Sequence, residues 1–165
     1  LPIFATIVGL AQGGEMRLAC IHDPVNDRTA LASAGDGATI NGVQAQVAAP
    51  TEPKHMYGTV KLRFGERSLP LKIVENCQKV PPFMDLRCAA HEYMALASGA
   101  LHYALYRKLM PWDHAAGNLL HAEACGYSAH LDGSAYDVTG PDHCYGFLYA
   151  PDGESWQALV DALTV

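Results

Sequence analysis

Residues 111–117, Pro111-Trp112-Asp113-His114-Ala115-Ala116-Gly117, followed by Glu123-Ala124-Cys125-Gly126, form the stretch that decides the fold. The pattern predicts a helix over residues 113–124, with Gly126 as the stop signal that follows it. A carboxylate at a helix start accepts backbone N–H bonds and meets the positive end of the helix dipole, so both effects keep Asp113 ionised. Asp113 then has two interpretations: a helix cap, which is the commoner role, or a hard ligand for Mg²⁺.

Around this stretch, short strands alternate with helices, which is typical of an α/β unit. Further helices are predicted over residues 67–78, 89–97 and 155–163, and Gly99 ends the second of them. Strands are predicted over residues 57–62, 83–86, 101–106, 128–131 and 146–149.

Upstream, the first 48 residues are typical of a β meander. Strands are predicted over residues 3–10, 16–22, 28–34 and 43–47, and Asn41-Gly42 is a hairpin signal. Residues 49–54, Ala-Pro-Thr-Glu-Pro-Lys, form a linker with two prolines. We therefore predict an amino-terminal sheet domain over residues 1–50 and a carboxyl-terminal α/β domain over residues 51–165.

Composition limits the class of protein. The length of 165 residues suits one average domain, or one domain plus part of another. A composition of 50% hydrophobic and 17% charged residues excludes a disordered chain. Eleven Lys and Arg against 17 Asp and Glu give a net charge of -6. Because no basic cluster is present, we expect no nucleic-acid polymer as a partner. Because no apolar run reaches 18 residues, we expect no membrane partner.

The cysteines and the first residues indicate where the protein works. The cysteines are odd in number and form no CxxC pair, so we expect buried, reduced thiols in a cytoplasmic protein; they are Cys20, Cys77, Cys88, Cys125 and Cys144. Residues 1–8 lack the features of a signal peptide and look like the middle of an element. We expect the chain to begin inside a fold.

Two motifs in the central stretch match a known pattern. Trp112-Asp113-His114-Ala115-Ala116-Gly117 resembles the W-D-x-A-A-G signature of the inositol monophosphatase family. Glu123-Ala124-Cys125-Gly126 resembles the family's E-A-G-G, with Cys in place of the first Gly.

The resemblance extends over nearly the whole chain. Asp23-Pro24, then Ala34-Gly35-Asp36-Gly37-Ala38 and Asn41-Gly42, resemble the family's D-P…G-x-G-A…N-G stretch. Cys88-Ala89-Ala90 followed by Gly99 resembles its G-[ST]-A-A…A-x-G segment. These motifs occur in the family's order and with similar spacing.

The resemblance implies a layered α/β sandwich (α+β) and a Mg²⁺-dependent phosphomonoesterase. In that family, carboxylates hold two or three Mg²⁺ ions, which activate a water and stabilise the charge that develops during in-line attack on phosphate. Asp113 matches the family's metal-ligating Asp, which also touches the substrate's hydroxyl. The chain resembles the carboxyl-terminal half of the fold: the remaining antiparallel strands plus a smaller mixed α/β sheet.

Other metal ligands of the family are absent from this sequence. They come from an upstream Glu and from a D-P-[IL]-D-G-T motif. Asp23-Pro24-Val25-Asn26-Asp27 resembles the start of that motif, but Asn26 replaces its second Asp and no Gly-Thr follows. We therefore expect no complete catalytic set in this chain, and no activity from the chain alone.

The resemblance also implies which residues bind substrate: Arg87, Cys88, Ala89, Tyr106 and Asp113. Tyr106 stands where inositol phosphatases have a Glu that binds substrate hydroxyls, and Cys88 replaces Ser or Thr. Arg87 takes the place of a Gly, and its role is open. Its guanidinium could bind a substrate anion, or it could pair with Asp85 or Glu92 as a structural ion pair.

The histidines and Cys88 allow weaker alternatives. His114 and His121 could bind zinc with Glu123, but seven residues along a helix separate them too far, so we expect buried, hydrogen-bonded histidines. Cys88 at a helix start could be a nucleophile, although a small packing residue is the commoner role.

The resemblance implies a phosphatase that hydrolyses a small sugar or polyol phosphate with Mg²⁺, and it also suggests a homodimer. The alternative is a non-catalytic remnant that acts by association, with its exposed sheet edge covered by a partner.

Overall fold

The computed structural model describes residues 3–61, 75–76, 79–80, 85–140 and 146–164. Cys77 and Cys144 lie outside these residues. So does the helix predicted over residues 67–78, except for residues 75 and 76. The strand predicted over residues 83–86 is half outside them, and residues 85 and 86 lie in no strand. Within the described residues, two sheets and three α-helices of nine residues or more stack in layers, and a short 3-10 helix covers Pro53–His55.

The first sheet is the predicted meander. Its antiparallel strands follow chain order: β1 (Thr6–Gln12), β2 (Glu15–Asp23), β3 (Arg28–Ser33), β4 (Gly37–Ile40) and β5 (Val43–Gln44). The last hairpin turns at Asn41 and Gly42, whose φ angles of 49° and 76° confirm the hairpin signal. The strand predicted over residues 43–47 is shorter than expected and covers Val43–Gln44 only, although the Ala45 N–H still donates to the Ala38 oxygen of β4 at 2.9 Å.

Side chains of this sheet alternate between two faces. The inner face buries small residues such as Ala19, Ala30 and Ala32. The outer face, here called the exposed apolar face, consists of Val8, Leu10, Leu18, Cys20 and Leu31, which pair across the strands. Its large side chains are 49–58% exposed, and an open groove of about 610 Å³ runs along it.

The second sheet is mixed. Its strands are β6 (Gly58–Val60), β7 (Tyr103–Tyr106), β8 (Tyr127–His130) and β9 (Phe147–Ala150). The order is β6-β7-β9-β8, and only the β6–β7 pair is parallel. Every residue of β7 and β9 is buried, because helices cover both faces of the sheet.

Helices separate and cover the sheets. Helices α1 (Ala89–Ala97) and α2 (Pro111–Glu123) share one core with the inner face of the first sheet and one face of the second. Helix α3 (Gly153–Thr164) buries Trp156, Leu159 and Leu163 against the other face of the second sheet. This arrangement confirms the layered α/β sandwich; the division into domains at residue 50 stays a prediction.

The helices of the described residues are 9, 13 and 12 residues long, and none is long and apolar enough to span a bilayer. Their predicted bounds are close to those observed. Helix α1 begins and ends as predicted, whereas α2 begins two residues earlier, at Pro111. Proline suits the first helical position because its fixed φ fits the helix and its missing N–H would find no partner there.

The small residues of the central stretch allow α1 and α2 to approach closely. A Cβ added at Gly117 would lie 2.1 Å from the ring of Tyr93, so only glycine fits against that ring. Ala115 and Ala116, which precede it, are also buried.

Candidate functional site

Asp113 occupies the first turn of α2, but it is not the helix cap. Met110 is the N-cap residue and has an extended backbone, so Asp113 is the third residue of the helix. The cap interpretation is therefore wrong, because Pro111 moves the helix start upstream. Asp113 is exposed, and within the described residues its carboxylate forms no hydrogen bond or ion pair. The side chain is free to bind a ligand.

Beneath Asp113, the side chain of His114 is anchored in the core. Its Nδ1 lies 2.7 Å from the hydroxyl of Tyr93, which also lies 3.0 Å from the hydroxyl of Tyr149. Its ring packs edge-on against Tyr106, with centroids 4.8 Å apart. Burial, the largest effect, raises the pKa of Tyr93 well above its usual value, so that hydroxyl stays protonated. The first turn of α2 is thereby held by the hydrogen bond to Tyr93 and by the rings of Tyr93 and Tyr106.

Tyr106, the predicted substrate residue on β7, is buried and engaged. It is 2% exposed, and its hydroxyl donates to Oε2 of Glu92 at 2.6 Å. Burial, followed by the nearby charge of Glu92, raises the pKa of Tyr106 well above its usual value. The structure thus places Tyr106 under the site rather than on its surface; binding of substrate by Tyr106 stays a prediction.

Glu92 is fully buried in the first turn of α1, and Lys61 is its partner. Its Oε1 accepts a hydrogen bond from Lys61 Nζ at 2.5 Å and one from the Leu86 N–H at 3.2 Å. Lys61 Nζ also donates to Oδ1 of Asp85. A buried carboxylate is stable only when it is paired and hydrogen-bonded, and this one has three donors, including Tyr106.

Arg87 and Cys88 lead into α1. Arg87 has a φ of 54°, in the left-handed region, and its backbone N–H donates to Asp85 Oδ1 at 2.8 Å. Burial raises the pKa of Asp85, but the hydrogen bonds from Lys61 and Arg87 outweigh this effect and the pKa is lowered. Cys88 is the N-cap of α1 without a side-chain cap bond, and Ala89 is the first helical residue.

The structure separates the two interpretations of Arg87. Lys61 forms the ion pairs with Asp85 and Glu92 that were one alternative for Arg87. Arg87 is exposed, and in the described part of the chain no carboxylate forms an ion pair with its guanidinium. The Arg87 guanidinium therefore forms no ion pair with Asp85 or Glu92, although its charge helps to lower the pKa of Asp85; the lysine, which sequence reasoning missed, forms both pairs.

The first turns of α1 and α2 meet at Tyr106. Glu92 in α1 accepts its hydroxyl, and His114 in α2 packs on its ring. Arg87 and Asp113 therefore stand at the starts of two helices that share one buried side chain. Cys88 and Ala89 lie on the same segment as Arg87.

The residues described do not form a complete Mg²⁺ site. Asp113 supplies one oxygen ligand of the type that Mg²⁺ prefers, but no group of three His, Cys, Asp or Glu side chains comes together within the described ranges. Asp23 is engaged elsewhere, because its carboxylate accepts bonds from the Asn26 side chain and the Val25 N–H. The Asn26 hydrogen bond is the main cause that lowers the pKa of Asp23.

Two of the sequence motifs bind each other. The carboxylate of Glu123, at the end of α2, accepts hydrogen bonds from the N–H groups of Gly35 and Gly37 at 2.8 Å each.

Cys125, just after α2, has a φ of 69° and stands in the position where the family pattern has Gly. It is exposed, so the expectation of a buried thiol is wrong for this cysteine; Cys20 and Cys88 are half-buried.

His121 in α2 differs from the expectation of a hydrogen-bonded histidine. It is fully buried, and among the residues that the structure describes neither ring nitrogen has a hydrogen-bond partner. Its ring packs against Gly126 and edge-on against Tyr149. Burial lowers the pKa of His121 to about 3, so the imidazole is neutral. The carboxylate of Glu123 is bound to the N–H groups of Gly35 and Gly37, and His114 is bound to Tyr93. His114, His121 and Glu123 therefore do not bind one zinc ion together.

Known proteins resemble this chain in both sequence and structure. The model of the inositol monophosphatase family matches residues 1–159. A fructose-1,6-bisphosphatase/inositol-1-monophosphatase from Thermotoga maritima is 25% identical over 134 residues, which are 81% of this chain and 51% of that protein. The Nus factor SuhB of Escherichia coli (strain K12) is 26% identical over 145 residues, 85% of this chain and 54% of that protein.

Solved structures share the fold. The extragenic suppressor protein suhB from Bartonella henselae superposes with a TM-score of 0.85 at 22% identity, over 97% of this chain and 61% of that chain. The chain spans about half the length of the curated relatives it matches.

Proposed function

The chain belongs to the inositol monophosphatase family, and from this membership we propose that it is part of a Mg²⁺-dependent phosphomonoesterase for a small sugar or polyol phosphate. The matched family is that of the inositol monophosphatases, and two of the relatives are named fructose-1,6-bisphosphatase/inositol-1-monophosphatase. The observation that carries the proposal is the free, exposed carboxylate of Asp113 in the motif at the start of α2. When bound, Mg²⁺ would supply charge stabilisation and an activated water.

The chain's own residues position this carboxylate. His114, held by Tyr93 and packed on Tyr106, fixes the first turn of α2, so Asp113 projects from a rigid base. An ionised carboxylate there accepts a hydrogen bond from a substrate hydroxyl or coordinates a cation. One carboxylate does not satisfy Mg²⁺, which binds several oxygens. We therefore propose that these 165 residues alone do not turn over substrate.

The proposal is tested with a fusion. The chain is joined to the portion of the Thermotoga maritima relative that the match leaves uncovered, and phosphate release from a generic ester is measured against Mg²⁺ concentration. We expect no Mg²⁺-dependent hydrolysis by the chain alone and clear hydrolysis by the fusion. In the fusion, Asp113→Asn should lower turnover by at least about 100-fold and raise the Mg²⁺ requirement, because the ligand loses its charge.

The control is Asp27→Asn, an exposed turn residue whose positive φ suits asparagine. It should leave turnover and melting temperature unchanged. A folded fusion without activity, or near-normal activity of Asp113→Asn at low Mg²⁺, contradicts the proposed function.

Association is the second candidate function. The exposed apolar face of the first sheet favours it, since contiguous apolar surface marks interaction sites. Several curated relatives carry the name Nus factor SuhB rather than that of an enzyme. We propose a second copy of the chain as the partner, which makes the protein a homodimer.

We also propose a cytoplasmic location. Cys125 is an exposed free thiol, and such thiols persist in reducing compartments.

A further inference from the structure

We propose that Asn41 is a site of spontaneous deamidation in this chain, that the fold restrains the reaction, and that the product loosens the first sheet. The dipeptide Asn41-Gly42 carries the chemistry, and the hydrogen bonds of the Asn41 side chain carry the restraint. The proposal is independent of the proposed phosphatase function.

An asparagine loses its side-chain amide through attack by its own backbone. The backbone nitrogen of the following residue loses its proton and bonds to Cγ. The Cγ–Nδ2 bond breaks, Nδ2 takes up a proton and leaves as ammonia, and a cyclic imide remains. Water then opens the imide at either carbonyl, which produces aspartate or isoaspartate. In sum, water is consumed and ammonia is released, with no oxidant or reductant.

Asn41 is the asparagine of this sequence at which the attack is least hindered. A side chain on the following residue crowds the attacking nitrogen, and Gly42 has none. Asn41 and Gly42 are also exposed, and a Cβ added at Gly42 would meet no described atom beyond its chain neighbours within 4 Å. The other asparagines precede residues with side chains; they are Asn26, Asn76 and Asn118.

The fold holds the Asn41 amide on both sides. Its Oδ1 accepts a hydrogen bond from the Thr29 N–H at 2.7 Å, and its Nδ2 donates to the Asp27 backbone oxygen at 3.1 Å. The Asn41 N–H also donates to the Thr29 oxygen at 2.8 Å. Asn41 therefore joins the turn between β4 and β5 to the turn between β2 and β3.

The reaction requires this turn to open. Closing the imide rotates the backbone of Asn41 until its Cβ lies in the plane of the following peptide bond. A two-residue hairpin turn with positive φ at both residues does not have that geometry. Opening the turn breaks one or two hydrogen bonds of the Asn41 amide, which corresponds to a factor of about 5–30 in rate.

The product does not restore the lost contacts. Aspartate places a carboxylate oxygen where Nδ2 donated to the Asp27 oxygen, so two acceptors face each other. Isoaspartate also lengthens the backbone within a turn whose length sets the strand register. Because β5 is the edge strand and pairs through Val43 and Gln44, its release would expose the edge of β4. An opening of the turn that is followed by deamidation is thus not reversed by refolding.

The rate is measured on the 165-residue chain at mildly alkaline pH, folded and in urea. Peptide mass spectrometry, with chromatography that separates aspartate from isoaspartate, follows each asparagine. We expect conversion at Asn41 to be at least about fivefold faster in urea. Asn26 is the internal control, because it is exposed in another turn but precedes Asp27, and it should convert more slowly in both conditions. Gly42→Ala should slow conversion of Asn41 in urea, where the fold no longer contributes.

The consequence is measured with Asn41→Asp, which carries the side chain of the product. Its melting temperature should be lower by about 2–4 °C, the shift that corresponds to one hydrogen bond in a chain of this size. Gln46→Glu makes the same amide-to-acid change at an exposed residue outside the turn and should keep the melting temperature within about 1 °C of the wild type.

Equal rates at Asn41 in the folded and the unfolded chain overturn the restraint by the fold. Faster conversion at Asn26 than at Asn41 overturns Asn41 as the site. An unchanged melting temperature of Asn41→Asp overturns the effect on the first sheet. If Asn41→Asp does not fold, the wild-type chain after partial conversion provides the same comparison of melting temperatures.

Discussion

Glu123 and Gly37 are hydrogen-bonded across 86 residues of sequence, with the glycine N–H 2.8 Å from a carboxylate oxygen. The second oxygen accepts the N–H of Gly35 at the same distance. One carboxylate thus joins the end of α2 to the turn between β3 and β4. The motif at residues 34–38 and the motif at residues 123–126 are therefore in direct contact in the fold.

Replacement of Glu123 by Gln should destabilise the fold. An amide offers one acceptor oxygen and places its NH₂ against the other N–H, so one charge-assisted hydrogen bond is lost. We expect a loss of about 1–2 kcal/mol in the free energy of unfolding, measured by urea denaturation. Glu15→Gln, at an exposed surface ion pair, should change it by less than about 1 kcal/mol. Equal effects of the two changes would contradict this role.

His121 should make stability depend on pH on the acid side. The unfolded histidine binds a proton below its ordinary pKa of 6.5, whereas the folded one does so only when the pH approaches its lowered pKa of about 3. The unfolded state therefore binds more protons between these values, so stability is complete above 6.5 and falls as the pH is lowered. Two pH units in this window correspond to about 2–3 kcal/mol.

The contribution of His121 is isolated by the difference between the wild type and His121→Leu, in urea unfolding at several pH values. The variant should lose part of the acid-side decline, because leucine does not titrate. The exposed His55→Gln is the control and should leave the decline as it is. Parallel curves for the wild type and His121→Leu would show that His121 does not cause the decline.

Cys125→Gly should stabilise the protein. Cys125 is exposed with a φ of 69°, so glycine relieves backbone strain and removes little packing. We expect a gain of about 0.5–1 kcal/mol in urea unfolding, reduced by the entropy that glycine loses on folding. The matched change Cys20→Gly, inside β2, should instead destabilise. A lower free energy of unfolding in Cys125→Gly would contradict the interpretation that the positive φ strains the backbone at Cys125.

The exposed apolar face should drive self-association. Leu31→Lys places a charge at its centre and should shift the chain toward monomer in light scattering across a concentration series. Val43→Lys is the control: Val43 is 71% exposed but pairs with Ile40, off this face. A wild-type chain that is monomeric at high concentration would count against the homodimer.

Much of the fold follows from local sequence. Helix α1 matches its predicted bounds, and the Asn41-Gly42 hairpin forms as its turn residues require. The start of α2 was misplaced because Asp113 is a good cap residue in isolation, while the preceding Pro111 determines where the helix begins.

The site was less predictable, because its contacts join distant residues. The Lys61–Glu92 pair spans 31 residues, and nothing local to either residue indicates the other. One signal was present: Glu92 interrupts an apolar helical segment, Ala89–Ala97, and a charge in such a segment needs a partner. Positive φ at Arg87 and Cys125 was indicated only by the glycines that the family pattern has at these positions.

Gly117 shows that the signature motif serves two separate requirements. Its neighbour Asp113 faces solvent, whereas Gly117 itself leaves no room for a side chain beside Tyr93. A survey of variants scored by activity alone would place both positions in one class of essential residues. A second measurement, the amount of folded protein, should separate the two positions. Asp113 variants should accumulate as folded but inactive protein, whereas Gly117 variants should fail to accumulate.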